Sequence, residues 1–528
     1  VILSDRRLQG LFLSEEAPAR RSEKIAMNCH DRRTFLGMLG AVAGGLALNP
    51  AWVTAQQRGP RAADNYTLPS DLAAYKAVSV VLGRAGDSAI TASLLARDRQ
   101  EAYLEYGTEA GKYPRQTKPT VLGAGQVVEV TVNDLKPNTR YYYRLQARKH
   151  GDRAFEPRPE CQFHTRRAAG STFTFCVQGD SHPERPFMSE PNLYARTLLH
   201  AAAAKPDLYV CMGDDFSVDK VRTVSAENLA APYLLQRPFL GLVAKSAPLY
   251  LVNGNHEQAS LFNFNQTDER HEVAVGVQVA RNRYFPMPSP GGIYTGDDKE
   301  LKGIGLPRDY FAWPWGDALF VVLDNYWHSA VQVDSGFRVG GGGKKADDKK
   351  NRDGWGITMG DAQYQWFKKT LEGSKAKFKF IFAHHVLGTG RGGVEASELY
   401  EWGGKGKGKG AAGAFKQMRP GWELPVHQLM AKHGVSVFFQ GHDHLYARQE
   451  RDGVVYQEVP LPADHGYATY NEDAYTSGTK LGNSGYLRVT VSPEEAKVEY
   501  VRCWLPKEET EKQKTGDVAH TYTIKAKA

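Results

Sequence analysis

The sequence predicts an α/β protein in which strand–helix units follow a small all-strand module. Three observations lead there. Short β-branched runs parted by turn residues crowd the stretch 70–167. Beyond it, longer apolar runs alternate with helix-like stretches. Five of those runs end in a short polar piece, "GDSH", "GDD", "GNHE", "HH" or "GHDH", beginning at Gly179, Gly213, Gly254, His384 and Gly441.

The 528-residue length leaves room for more than one domain. With 41% hydrophobic and 24% charged residues, the composition is that of a folded chain rather than a disordered one. A formal charge of +8 favours anionic partners as a class. No recognition helix, zinc finger or aromatic RNA-binding motif occurs, so no specific nucleic-acid partner is expected.

Residues 1–55 form the first segment. Asp31-Arg32-Arg33-Thr34-Phe35-Leu36 precedes an apolar, glycine-rich run over 37–48, and Val53-Thr54-Ala55 offers the small residues a signal peptidase accepts. This resembles a twin-arginine export signal, implying passage through twin-arginine machinery to a bacterial periplasm or the exterior, with the mature chain starting near Gln56. Met27 lies just before the paired arginines, so residues 1–26 are expected to be upstream sequence. The apolar run is too short for a stable transmembrane anchor. Of five cysteines, Cys29 falls here. Cys161, Cys176, Cys211 and Cys503 are too scattered for a disulfide scaffold, with room for at most one bridge. Cys176 and Cys211 lie in apolar runs and read as small core residues.

The second segment, 70–167, carries strand-like runs at 88–95, 101–106, 127–132 and 141–147. "VVEVTVNDLKPNTRYYYRLQA" sets two of them around one tight connection, as in a small β-sandwich. The third segment, 171–528, has apolar runs at 173–177, 208–212, 248–252, 378–382 and 435–439, apolar enough for central strands covered on both faces. Helical stretches are predicted at 192–203 and 361–371, and a strand pair over 311–324. Alternation near 486–504 and in "TYTIKAKA" predicts strands that close this domain's sheet. In such α/β units the loops beyond the strand carboxyl ends collect into one site, so five strand ends deliver their polar pieces to one place. Three segments interrupt the order: 260–310, with a helical part; 337–356, flexible and charged; and 388–413, rich in glycine. Lys405, Lys407 and Lys409 lack the Walker spacing and read as solvated loop or as substrate contacts.

Asp180 and His182 flank one residue, and on an extended chain such positions point the same way. Asp214 adds a carboxylate whose two oxygens can bridge two cations. Asn255 offers an amide oxygen; His384, His442 and His444 offer imidazoles. Oxygen and nitrogen donors of this kind suit Fe, Mn or Zn better than a thiolate-selective metal. Trp313 reads as core, whereas Tyr326 and Trp327, following Asp324 at a strand end, are candidates for lining the site.

In order, "GDSH", "MGDD", "NGNHE", "FAHH" and "GHDH" resemble the ligand motifs of the calcineurin-like metallophosphoesterases, over about residues 173–486. The preceding module resembles the fibronectin-III-like domain of purple acid phosphatases at Leu135, Pro137, Tyr141 and Tyr143. The resemblance implies a two-sheet sandwich flanked by helices and a metal-dependent phosphoric ester hydrolase. It implies one cation held by Asp180, His182, Asp214 and His444, and a second by Asp214, Asn255, His384 and His442. A hydroxide bridging the two would attack phosphorus in line with the leaving alcohol. His256 is implied as the catalytic side chain beside the leaving group, and Glu257 as an orienting group. Asp215, His385, Arg391, Asp443 and His465 are candidates for touching substrate or for orienting the ligands. Two positions depart from purple acid phosphatases: Ser217 stands where they have a ligand tyrosine, and His182 where they lack a metal-binding histidine. The expected substrate is a phosphorylated small molecule or other phosphate monoester. The alternatives are a phosphodiesterase or nuclease with the same centre, and an inactive surface binding protein.

Overall fold

A computed structural model describes residues 78–218, 221, 223–257, 269–327, 329, 354–386, 391–406 and 413–527. The export-like segment 1–55, Lys407, Lys409 and most of 337–356 lie outside the described residues.

The turn-rich stretch after Val78 forms two facing sheets. One holds Val78–Gly83, Ile90–Ala96 and Val127–Val132. The other is built on Gln100–Gly107 and Arg140–Lys149, with the shorter strands Arg115–Gln116, Thr120–Leu122, Glu156–Pro157 and Cys161–His164 beside them. Side chains alternate along Arg140–Lys149, and Tyr141, Tyr143 and Leu145 turn inward. Leu82, Ile90 and Val132 of the first sheet meet Leu104, Tyr143 and Phe163 of the second around one apolar space. The "NDLKPNT" connection is fixed by its own strand: the Lys136 amide donates to the Tyr141 hydroxyl at 2.8 Å.

The rest is a second, larger pair of sheets with helices outside. A six-stranded sheet runs Leu249–Leu251, Leu208–Cys211, Phe173–Gln178, Gly485–Val491, Glu495–Arg502, Val518–Lys525; its first three strands are parallel and the remaining pairings antiparallel. An eight-stranded sheet contains the parallel run Ala318–Val322, Phe378–Phe382, Val437–Gln440, Val454–Glu458. Phe175, fully buried, joins the two: its ring lies 5.0–6.4 Å from those of Phe320, Phe380, Phe382 and Phe439. Helices Asp361–Glu372 and Val426–Lys432 cover the outer face of the larger sheet, burying Tyr364, Phe367, Leu429 and Met430 against Val321, Ile381 and Phe438. This is the α/β class and two-sheet architecture the sequence implies.

One helix escapes sequence reasoning. Ala226–Ala244 contains Pro232 and Pro238, which remove backbone donors and argue against any helix. Ser225 caps it by accepting from the Asn228 amide at 3.2 Å, and burial of Leu229, Tyr233, Leu240 and Val243 outweighs the proline cost. Glu269–Tyr284 supplies the helical part of the 260–310 segment. The described part of the glycine-rich stretch buries Trp402, while Lys405 pairs with Glu398 at 2.6 Å on the surface. Cys161, Cys176, Cys211 and Cys503 are all free, so the one bridge the sequence allowed is not formed; Cys176 and Cys211 are core residues. Trp313 is core too, stacked on Tyr250 at 4.1 Å. No helix among the described residues is long and apolar enough to cross a membrane.

Candidate metal centre

The parallel strands of both sheets end at one place. Phe173–Gln178 leads to Asp180 and His182, Leu208–Cys211 to Asp214, and Leu249–Leu251 to Asn255 and His256. From the other sheet, Phe378–Phe382 leads to His384 and Val437–Gln440 to His442 and His444. All eight side chains are buried. His182, Asp214, His442 and His444 have φ of 39°, 58°, 77° and 61°, a left-handed backbone that residues with a Cβ adopt at a cost of about 1–3 kcal/mol each. Four such residues in one cluster mean that the surrounding packing is spent on aiming these groups.

Their donor atoms form two groups sharing Asp214. In the first, His444 Nε2 lies 3.1 Å from Asp180 Oδ2 and 3.1 Å from His182 Nε2, which is itself 3.6 Å from Asp214 Oδ2. In the second, His384 Nε2 lies 3.1 Å from Asp214 Oδ2 and 3.0 Å from Asn255 Oδ1, and His442 Nδ1 is 3.1 Å from the same amide oxygen. The structure brings together every member of the two sets that the resemblance implies, with His256 and His385 beside them.

The protonation pattern fits cations. His384 Nδ1 faces the Met212 carbonyl at 2.8 Å, and a carbonyl only accepts, so Nδ1 carries the proton. In the neutral ring Nε2 is then a lone pair aimed at two oxygens, a conflict that positive charge at that point resolves. Burial opposes a charged imidazole there, yet Asp214, Asp180 and Glu257 push His384 up to about 10. Burial opposes charge on Asp214, yet His384 and His256 hold its carboxyl well below the usual carboxylate range. Unlike His384, His182 and His442 are driven well down by burial, then by Arg185 and His444 around the first and by His385 and Arg391 around the second. Neutral imidazoles beside an ionised carboxylate are what a metal requires. Glu184 accepts from His182 Nδ1 at 2.9 Å, which leaves Nε2 for the cluster.

The remaining candidates divide. His256 borders the cluster: its amide donates to Asp214 Oδ1 at 2.9 Å and its Nε2 is 3.7 Å from Asp214 Oδ2. Glu257 is an organiser, its carboxylate accepting from the amides of Asp214, Asp215, Phe216 and Gly254 at 2.5–3.0 Å. Asp215 turns away, accepting from Gln178 Nε2 at 2.8 Å. Asp443 also turns away, accepting from Gly392 N and the Tyr475 hydroxyl, each at 2.7 Å, and from Arg391 at 3.0 Å. Arg391 is tied down further by the His442 carbonyl, and Asp443 and Arg391 together brace the "GHDH" loop. His385 stacks on His442 at 4.1 Å and, driven down by burial, stays neutral. Tyr326 is buried against His384 and His385, and Trp327 is buried as well. His465 is half-buried and joins none of the donor groupings among the described residues. Ser217 is buried in the Asp214 loop. Sequence reasoning missed Glu184 and Arg185; the need of His182 Nδ1 for an acceptor in its own turn was the signal for the first.

A two-sheet sandwich whose strand ends gather aspartate, asparagine and histidine defines a metal-dependent hydrolase of phosphoric esters. The chain belongs to the calcineurin-like phosphoesterase family, whose profile matches residues 173–446. Among solved structures it is similar to PhoD, at 15% identity and a TM-score of 0.58, over 88% of this chain and 92% of that one. It is also similar to the purple acid phosphatase PPD1 of yellow lupin (Lupinus luteus) seeds, at 15% identity and a TM-score of 0.52, over 84% of this chain and 74% of that one. No curated protein sequence matches the chain significantly.

Proposed function

We propose that the chain is an exported phosphomonoesterase in which the two donor groups that share Asp214 would hold two cations. The observation that carries the reading is the buried, unprotonated Asp214 Oδ2 standing 3.1 Å and 3.6 Å from histidine nitrogens of the two groups. The donor set fits Fe, Mn or Zn, and bound cations would polarise the phosphoryl oxygens and lower the proton affinity of an attacking water. The chain's own residues do the rest. Asp180, His182 and His444 orient one side of the phosphoryl site; Asn255, His384 and His442 orient the other. His256, held by Asp214 Oδ1 through its amide, borders the cluster with Nε2, which accepts from Arg185 Nη2 in this structure; protonated there, it would serve a departing alkoxide. Glu257 keeps the Asp214 and Asn255 loops in register. Export is supported by the paired Arg32 and Arg33 and the run that follows them.

The test is hydrolysis of p-nitrophenyl phosphate and bis(p-nitrophenyl) phosphate by metal-stripped protein reloaded with Fe, Mn or Zn. Monoester preference is expected. A strong preference for the diester, or no hydrolysis by fully loaded protein, overturns the reading. Export is tested by fractionating cells that carry Arg32→Lys/Arg33→Lys, in which the protein is expected to remain cytoplasmic.

A further inference from the structure

We infer that Arg185 is a phosphate-binding residue that sets the preference for monoesters; the inference rests on the phosphoesterase reading of the same site. Arg185 lies in the turn after the first motif, where its amide donates to the His182 carbonyl at 2.9 Å and its carbonyl accepts from Met188 N at 3.0 Å. That turn carries the guanidinium over the cluster. Its Nη2 reaches His256 Nε2 at 2.9 Å, and His256 Nε2 is 3.7 Å from Asp214 Oδ2, the atom between the two donor groups. Glu184 fixes this placement from below. One carboxylate oxygen, Oε1, lies 2.9 Å from His182 Nδ1 and 3.3 Å from Arg185 Nε, so the arginine is indexed to a candidate metal ligand through a single buried side chain. The Arg185 side chain is a quarter exposed, whereas His182, Asp214 and His256 are buried, so part of this side chain is open to what enters.

Counting oxygens assigns its role. A phosphate monoester presents three non-bridging oxygens and a diester two. With one oxygen directed to each donor group, a monoester keeps a third, and a diester keeps none. Among the described residues Arg185 is a cation in contact with His256, and its planar fork of donors suits that third oxygen. The cluster alone grips both ester classes; the arginine rewards only one. The geometry also explains why Arg185 contacts His256: the charge that receives the phosphoryl oxygen stands beside the group that serves the leaving oxygen.

The experiment compares wild type, Arg185→Ala and Arg185→Lys, each loaded with the same metal and checked for metal content by elemental analysis. Two readouts are taken: the Kd for inorganic phosphate by titration calorimetry, and kcat/KM for p-nitrophenyl phosphate against bis(p-nitrophenyl) phosphate. For Arg185→Ala we expect phosphate binding and the monoester kcat/KM to fall by roughly 10–100-fold, as for loss of a charge-assisted hydrogen bond. The diester kcat/KM should fall far less, and Lys should recover part of the monoester rate. An unchanged phosphate Kd and monoester-to-diester ratio in Arg185→Ala at full metal content overturns this inference and leaves the phosphoesterase reading standing. A loaded wild type that binds no phosphate and hydrolyses neither ester overturns both. If Arg185→Ala loses metal or fold, Arg185→Lys decides: a ratio equal to wild type, with no loss of phosphate affinity, overturns the inference.

Discussion

Single side chains in this site divide into those that hold cations and those that act beside them, and substitutions should separate the two. His256→Ala leaves both donor groups complete, so metal content should stay near wild type while kcat falls by about 10²–10⁴, the usual worth of a positioned proton donor. Equal loss of metal and rate would make His256 structural. Glu184→Ala removes the acceptor that fixes the His182 tautomer and should weaken binding of one metal equivalent by about 10–100-fold, read by competition with a chelator. Protons compete at His384. Its folded value of about 10 lies above the ordinary 6.5, so metal-free protein holds that proton, and the pairing with Asp214 that it provides, until the pH climbs through about 10. Cation binding expels the proton, so apparent metal affinity should rise with pH and level off only near 10, measured by metal titration at successive pH values. At this scale the sequence was legible wherever a motif paired a residue type with a strand end, which is why all seven candidate ligands lie together. Arg185 was not legible, because an arginine in a proline-bounded turn has no period or spacing to mark it; Glu184 was marked only by the need of His182 Nδ1 for an acceptor.

The elements place these residues through strand ends and tight turns, and the turns leave no slack. Gly254 is the clearest point. A Cβ there would run into Asp214 Oδ1, the Asp214 amide and Glu257 Oε2, so the loop after Leu249–Leu251 can lie against the Asp214 loop only with glycine at that position. Gly254→Ala should push Asn255 and Asp214 apart. Expected are loss of the cation that Asn255 helps to hold, loss of turnover, and a destabilisation of about 1–3 kcal/mol from overpacking, with the fold retained by circular dichroism. Unchanged metal stoichiometry would show that the loops can part without opening the site. The buried strands were legible from their apolar runs, since a strand covered on both faces has no polar alternation to hide it. The helix Ala226–Ala244 was not, because Pro232 and Pro238 are local signals while the burial that overrides them is tertiary. Yet this helix bears on the site: Gln236 donates to the Ser181 hydroxyl at 2.7 Å and to the Asp215 carbonyl at 2.8 Å, tying the first two motifs together.

At the scale of the whole molecule, the same helix joins the strand-only region to the catalytic sheets. Arg237 is fully buried, and it reaches across: Nε donates to the Ser79 hydroxyl at 2.7 Å, Nη2 to the Ser93 carbonyl at 2.7 Å, and Nη1 to the Tyr284 carbonyl. Burial pushes its guanidinium down to about 9, still cationic at neutral pH, and neutral acceptors surround it in place of a carboxylate. A second tie runs from the Tyr143 hydroxyl to the Lys245 carbonyl at 2.6 Å, just past the helix end. Neither tie was visible in the sequence, where the boundary near residue 170 reads as a simple change of pattern and interface residues carry no periodicity. Because one cation satisfies acceptors on both sides, removing it strands several buried polar groups at once, at a cost of about 3 kcal/mol or more. The wild type should therefore unfold in one calorimetric transition, whereas Arg237→Ala should resolve into two, with the strand-only region melting first. Metal addition should then raise only the upper transition, since every candidate ligand lies in the catalytic sheets. A single transition in Arg237→Ala that metal still shifts as a whole would mean that the apolar contacts alone couple the two regions, and that the buried arginine sets their alignment without holding them together.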